Sequence, residues 1–411
     1  MLGRNEMVTE YGGGLNGTRT GVVEQILKPG GGYIKAQVEY GYDNLYRLVH
    51  EHRTALNQGD DPGVAYEYNF AYDAAGNRTA WQVDGGTPTT YAYDAANKMT
   101  SPGTFTYDDK GNTTRIVAGT VTTDYAWDLQ NRMIQWQKTN QTTETYLYNA
   151  DGMRVRKTPD GGTQTDFLLD IDEIAEEMTG SNDVSYVGPG LIEKIDDTGR
   201  SVYHADGIGS TRAISDANEA VTQAEVYDAY GNRLTTSGPS PTFAFAGQYR
   251  YYADSTGLDY LKARYYDPGL GRFTSSDPIG YSGGLNVYSY VGNQPVAAVD
   301  PSGLTCYLPG CLLPTPVPPG DPEKDPCCVA RAQADYVKCV DGCRKRGNIC
   351  KGLGIVGCMI GCSGTGPAYP VCLAACLTAW SAACGVATAE CAAECRNQYE
   401  EDMLFCPSRG N

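Results

Sequence analysis

The sequence predicts a mainly β fold, an array of hairpins that coils on itself, followed by a small α-helical, cysteine-rich C-terminal domain. Three observations carry that expectation. A pattern of an aromatic residue, aspartate, a short Gly-Asn turn and arginine recurs through residues 1–246. Tyrosine is concentrated on the same side of the chain, with 27 of 31 tyrosines preceding Leu304. All fifteen cysteines fall in the last 107 of the 411 residues, where four C-x-x-x-C pairs stand at helical spacing.

The repeat units of residues 1–246 read YGYDNLYRL from Tyr40, AYDAAGNRT from Ala71, AYDAANKMT from Ala92 and TYDDKGNTT from Thr106. They continue as AWDLQNRMI from Ala126, LYNADGMRV from Leu147 and VYDAYGNRL from Val226. Alternation around the aromatic, as at Tyr91 and Tyr93, makes a strand with one bulky face. Aspartate and Gly-Asn then supply a turn with a residue at positive φ, and arginine restarts the chain in the next strand. A single hairpin cannot bury its aromatic face, so successive hairpins must join a continuous sheet. A plain β-solenoid or adhesive stalk satisfies the same periodicity. Residues 173–178, within DEIAEEM, read as a solvated loop or a short helical insertion.

Residues 247–304 separate two unlike polymers. The string contains ARYYDP, GRFTSSDPIG, GLNVYSYVGN and a terminal DPSGL. Asp277 and Asp300 recur in matching settings, each followed by proline and, shortly after, glycine, which suits an Asx-type turn. Two such turns bracketing a hairpin is one reading. The other is an aspartyl dyad, in which two carboxylates brought together share a proton, one acting as base on water and the other polarising a carbonyl. Gly271, Gly280, Gly283, Gly284 and Gly303 read as backbone devices, Asp267 as a turn residue and Arg272 as structural.

These ordered sub-motifs closely resemble the core-associated segment of the Rhs/YD-repeat proteins, a family of polymorphic toxins and the C components of insecticidal toxin complexes. The resemblance implies a YD-repeat array wound into a shell, here a partial one because the recognisable units are few, around a C-terminal cargo. It implies self-cleavage in cis, once per chain, just after the DPxGL motif, between Leu304 and Thr305. It places Asp277 and Asp300 at the catalytic positions and Arg264 beside them. It also implies a variable toxin as cargo and a cognate immunity protein as partner.

Charge narrows the partners. Of a formal net charge of −17, residues 1–304 carry 39 acids against 23 bases. An acidic body repels nucleic acid and anionic membranes, so no nucleic-acid partner is expected for it. The first residues, MLGRNEMVTEYGGG, contain no apolar core of a signal peptide, so secretion or surface display by a non-Sec route is expected. The chain starts in mid-pattern, and the expected partners therefore include secretion machinery or an N-terminal remainder of the shell.

Residues 305–326 form a stiff, extended spacer with seven prolines. Residues 327–411 read as a small helical domain. Its pairs Cys339/Cys343 and Cys358/Cys362 recur, shifted by 33 residues, as Cys372/Cys376 and Cys391/Cys395, an internal duplication. The arrangement is similar to twin CX3C helical hairpins, a likeness that implies Cys339–Cys362 and Cys343–Cys358 disulfides. The second unit lacks a clear turn, and its cysteines can instead bridge to the first. Disulfide stapling is favoured over a zinc site because C-x-x-C spacing is absent, so no metal and no cofactor are expected. The absence of histidine from the tail removes Cys-His and His-metal chemistry, and no catalytic motif is visible there. Residues 352–389 carry no charge, and their last 19 residues approach the length of a bilayer span, which makes a membrane the alternative to a buried helix.

Three functions follow as expectations. One is the C-terminal portion of a polymorphic toxin acting in interbacterial competition, whose self-cleaving core releases a cysteine-rich effector. The second is a tail that permeabilises membranes without catalysis. The third is a non-toxic surface or adhesive protein with a disulfide-stapled tail. Cleavage after Leu304 separates the first two from the third.

Overall fold

The structure, a computed structural model, describes residues 10–13, 19–56, 65–170, 173–188, 191, 193–238 and 240–306. The chain divides into two compact units, Met1–Thr305 and Cys306–Asn411. All the paired cysteines of the sequence pattern and residues 352–389 lie outside the described residues.

The repeats build two meanders. A seven-stranded sheet runs from Glu10–Gly13 to Thr89–Thr90, and a fourteen-stranded sheet from Thr104–Tyr107 to Arg233–Ser237. Strands follow one another in chain order, and the pairings are antiparallel. Among the described residues there is no α-helix, only three short 3-10 turns. The array does coil on itself: Ile26 and Ile34 of the first sheet pack with Ala224 and Val226 near the end of the second. Glu51 of the first sheet accepts the Ala229 N–H at 2.9 Å, and Arg212 lies 3.2 Å from Glu24.

The recurring aspartate explains the hairpins. At Asp73, the Gly76 N–H donates to the Asp73 carbonyl at 3.1 Å, and the Asp73 N–H donates to the Asn77 carbonyl at 3.0 Å. The Asp73 carboxylate then takes the Asn77 N–H at 2.8 Å. The same backbone pair closes the turns at Asp43, Asp94, Asp108, Asp128, Asn149 and Asp228. The third residue after each is at positive φ, from Tyr46 and Gly76 to Gly152 and Gly231, which is why glycine or asparagine is favoured there.

The aromatic before the aspartate ties one hairpin to the one before it. Tyr72 Oη donates to the Leu48 carbonyl, Tyr93 to Arg78 and Tyr148 to Met133, each at 2.7 Å. Tyr107 reaches Met99 at 3.0 Å, and the Trp127 indole reaches Thr113 at 2.7 Å. Each acceptor lies five residues beyond the aspartate of the preceding unit. A phenol thus buries its ring in the sheet and still satisfies its hydroxyl.

Residues 173–178 are neither loop nor helix. Glu173–Thr179 is a strand paired on both sides, with Thr165–Asp170 and Asn182–Val187. Ile174 is buried, and Glu177 is taken out of water against the Tyr186 hydroxyl at 3.0 Å. Neighbouring strands on each side outweigh the weak β propensity of three glutamates.

The core string crosses this scaffold as a clamp. Its four-stranded sheet, from Tyr252–Ala253 to Arg272–Phe273, brings Tyr252, Tyr260 and Tyr265 onto the repeat aromatics Tyr125, Trp136, Tyr146 and Phe167. Farther along, side chains bind the repeat turns: Arg272 to the Asn97 carbonyl and Asn286 to Asn77 Oδ1, both at 2.7 Å, and Tyr288 to the Gly111 carbonyl at 2.7 Å. Arg154 is the deepest tie. Fully buried, it pairs with Asp254 of the string and lies between rings, 4.3 Å from Tyr260 and 4.7 Å from Tyr252. The clamp fixes the backbone on which the acids of the string stand.

Candidate active site

Asp277, Asp300 and Arg264 come together. Arg264 begins the strand Arg264–Asp267, beneath which Phe273 lies 3.6 Å from the guanidinium carbon. One nitrogen, Nη2, is 2.9 Å from Asp277 Oδ2 and 3.3 Å from Asp300 Oδ2. The three side chains are only 3–5% exposed. Two acids 23 residues apart therefore share a single cation. Among the described residues no hydrogen bond joins the two carboxylates directly, so the arginine stands where direct proton sharing was expected.

The turn reading holds as well. The Gly280 N–H donates to the Asp277 carbonyl at 2.9 Å, and the Ile279 N–H to Asp277 Oδ1 at 3.0 Å. The Gly303 N–H donates to the Asp300 carbonyl at 3.2 Å. Both aspartates make local turns and face one buried arginine.

Asp300 Oδ1 points along the chain that follows it. It accepts the Leu304 N–H at 3.0 Å, the Thr305 N–H at 2.9 Å and the Ser302 hydroxyl at 3.3 Å. Arg264 Nε donates to the Gly303 carbonyl and Nη1 to Val287 at 3.2 Å. The Leu304–Thr305 peptide is thereby held against a carboxylate. Gly303 sits at φ 69°, and a Cβ there would meet the Leu261 carbonyl at 2.4 Å, so no other residue fits without moving backbone.

Burial dominates the electrostatics. It pushes the Asp277 carboxyl up to about 6, against the pull of Arg264, with the Asp300 charge adding to the rise. Asp300 is also raised by burial, opposed by Arg264 and by the Thr305 and Leu304 N–H groups. Burial lowers Arg264, while the two carboxylates oppose that shift. A cation shared by two desolvated acids favours one negative charge between them over two. Such a pair offers one acid and one base, with Asp300 against the Leu304–Thr305 peptide.

Sequence reasoning missed several partners. Tyr251 Oη accepts the Asp300 N–H, Val287 accepts from Asp277 N–H and Arg264, and Phe273 supports the guanidinium. A backbone carbonyl carries no residue-type signal, and tyrosine is too abundant here for one to stand out. Asp267 accepts the Leu270 N–H at 3.0 Å and makes the expected turn, and Arg272 binds a repeat turn. Among the described residues no cluster of His, Cys, Asp and Glu could hold a metal ion, and no helix is long and apolar enough to cross a membrane. Cys306 is disulfide-bonded, and the eight cysteines of the duplicated pattern lie outside the described residues.

Known proteins share this architecture. The Teneurin YD-shell family matches residues 190–296. The tRNA3(Ser)-specific nuclease WapA of Bacillus spizizenii is 32% identical over 289 residues, covering 65% of this chain and 12% of that protein. Double-stranded DNA deaminase toxin A of Burkholderia cenocepacia is 31% identical over 314 residues, covering 66% of this chain and 21% of that protein. The chain thus spans about an eighth to a fifth of the length of these relatives. The crystal structure of TcdB2-TccC3-Cdc42 matches 72% of this chain and 17% of its own with a TM-score of 0.59 at 20% identity, a likeness of fold. With its aspartate-closed hairpins, coiled array and core string, the chain is an Rhs/YD-repeat protein, related to the polymorphic toxins.

Proposed function

We propose that this chain is the C-terminal portion of an Rhs polymorphic toxin that cuts itself between Leu304 and Thr305 and so frees residues 305–411 as an effector. The observation that carries this reading is the contact of Asp300 Oδ1 with the Thr305 N–H at 2.9 Å, while Arg264 joins Asp300 to Asp277. Asp300, in its ionised form, takes a proton from water as the oxygen attacks the Leu304 carbonyl carbon, and Asp277, in its protonated form, polarises that carbonyl. Asp300 then passes the proton to the Thr305 nitrogen as the C–N bond breaks. The products are a carboxyl at Leu304 and an amine at Thr305, and the single proton of the pair stays on Asp277. Arg264 keeps one negative charge neutralised throughout and holds the Gly303 carbonyl.

The relatives support a toxin with a variable end. Proteins named for tRNA cleavage and for DNA deamination both match about two thirds of this chain. Residues 327–411 form the effector on this reading, stapled by disulfides among Cys339, Cys343, Cys358, Cys362, Cys372, Cys376, Cys391 and Cys395, with residues 305–326 as its spacer. Delivery is to the cell surface or beyond, and a cognate immunity protein guards the producer.

Intact mass spectrometry on purified wild type, Asp277→Asn and Asp300→Asn tests the cut. Two fragments divided after Leu304 in the wild type, and single intact masses in both variants, are expected. A wild-type chain that stays whole would remove the proteolytic reading.

A further inference from the structure

The seam along which the array closes on itself holds a buried acid that self-cleavage does not use. Glu51, 1% exposed on the strand Leu48–Ala55, accepts the Ala229 N–H of the second sheet at 2.9 Å and the Tyr66 hydroxyl at 2.7 Å. Both bonds fall on Oε1, and Oε2 is buried without a partner.

The bases of the seam are committed elsewhere. Arg53 and Arg212 each lie 3.2 Å from Glu24, and Arg212 also lies 2.8 Å from Asp206. Arg19 acts on Tyr40. Burial raises the phenols of Tyr40, Tyr66, Tyr68, Tyr227 and Tyr230 and keeps them neutral. Glu51 is left facing another acid, Asp228, and among the described residues neither carboxyl has a base within ion-pair distance.

The two acids are not equivalent. Asp228 is furnished to carry charge: its carboxylate accepts the Tyr230 and Asn232 N–H groups at 3.0 and 2.9 Å and the Asn232 amide at 2.8 Å, and Arg78 pulls on it from farther off. Glu51 has donors on one oxygen alone. Burial raises both, Asp228 to about 6, and at Glu51 the Asp228 charge adds to the rise. Two desolvated carboxyls acting on each other keep one proton, and the donors at Asp228 leave it to Glu51.

We propose that Glu51 is a pH-sensitive latch of the seam: protonated, it ties the first sheet to the second through the Ala229 N–H, and ionised, it sits as an unpaired charge that loosens them. An acid raised in the folded state contributes at low pH, and its contribution is lost as pH rises from the unfolded value, about 4.3, toward the raised folded one. The seam is therefore tightest in acid. The latch is independent of self-cleavage.

Amide exchange of the full chain, read by peptide mass spectrometry near pH 5 and near pH 8 and corrected for the intrinsic effect of pH, tests the latch. In the wild type, residues 48–55 and 224–230 should lose protection by at least about tenfold at the higher pH, the loss that one pH unit of linkage gives. Residues 104–118, away from the seam, should keep theirs. In Glu51→Gln, which preserves an acceptor for Ala229 and cannot ionise, the loss at the seam should vanish. The wild-type contrast between seam and distant strands keeps the test decisive where the variant fails to fold. Seam protection equal at both pH values in the wild type, a loss shared equally by residues 104–118, or the same loss in Glu51→Gln would overturn the latch.

Discussion

The repeat turns and the core turns begin from the same local chemistry and end in opposite electrostatic states. At Asp43 and Asp128 the carboxylate accepts N–H groups two and four residues on, and the arginine four residues on, Arg47 or Arg132, closes over it near the surface. Burial is the largest single influence there and would raise the carboxyl, but the backbone and arginine bonds together outweigh it and hold both groups below the usual range. At Asp277 and Asp300 burial wins and both rise. The arginine is no longer local: Arg264 arrives from another strand and is divided between two acids. An aspartate turn sunk in the core and given half a cation is thus driven to the opposite side of the usual range from one at the surface.

The largest effect expected is from Arg264→Gln, which removes that shared charge. Self-cleavage should slow by about 10²–10⁴-fold, the range for loss of acid–base and electrostatic assistance, as measured by fragment appearance over time. Cleavage at the wild-type rate in a folded variant would break the comparison at its centre. Arg154→Ala separates burial from chemistry, because it strips a cation from a buried acid, Asp254, that touches no scissile bond. Unfolding in denaturant should show a loss of about 3–5 kcal/mol, the cost of leaving one charge of a buried pair.

The pH profile sharpens the contrast next. With Asp277 acting as the proton-carrying acid of pKa about 6, the cleavage rate should fall as pH rises through 6, about tenfold per unit once Asp277 is mostly ionised. It should also fall at lower pH as the Asp300 carboxylate takes up a proton, giving a bell. The smallest effect is expected from Asp128→Ala in a repeat turn, about 1 kcal/mol of stability by thermal melt with cleavage unchanged. The sign runs opposite to that of the core acids. A carboxyl lowered in the folded state contributes above its unfolded pKa, near 4, and the contribution fades as pH falls through the lower folded value.

The repeat hairpins were legible because their information is local: aspartate, two residues, then glycine or asparagine determine a turn wherever they occur. The units at Asp206 and Asp254 close in the same way but were not singled out, since alanine precedes each in place of tyrosine. Their Asp-x-x-Gly spacing, with Gly209 and Gly257 at positive φ, was the available signal. The strand Glu173–Thr179 was misread because its charges mask a pairing made by its neighbours. In the core string the acids, and Arg264 beside them, were legible through family resemblance, but the single nitrogen they share was not. Sharing one guanidinium nitrogen depends on residues 264, 277 and 300 meeting in space, which no spacing along the chain encodes.

The tyrosine contacts between successive hairpins give the scaffold the character of a zip fastener. Each tooth engages the one before it through a single phenol and a carbonyl five residues past an aspartate. Such coupling is nearest-neighbour, so the energy of the array grows nearly in proportion to its number of teeth. A unit gained or lost by recombination leaves the remaining teeth in register, whatever the length of the strands between. Pulled from one end, the hairpins that the core string does not hold should open one at a time, with a sawtooth of small, similar forces.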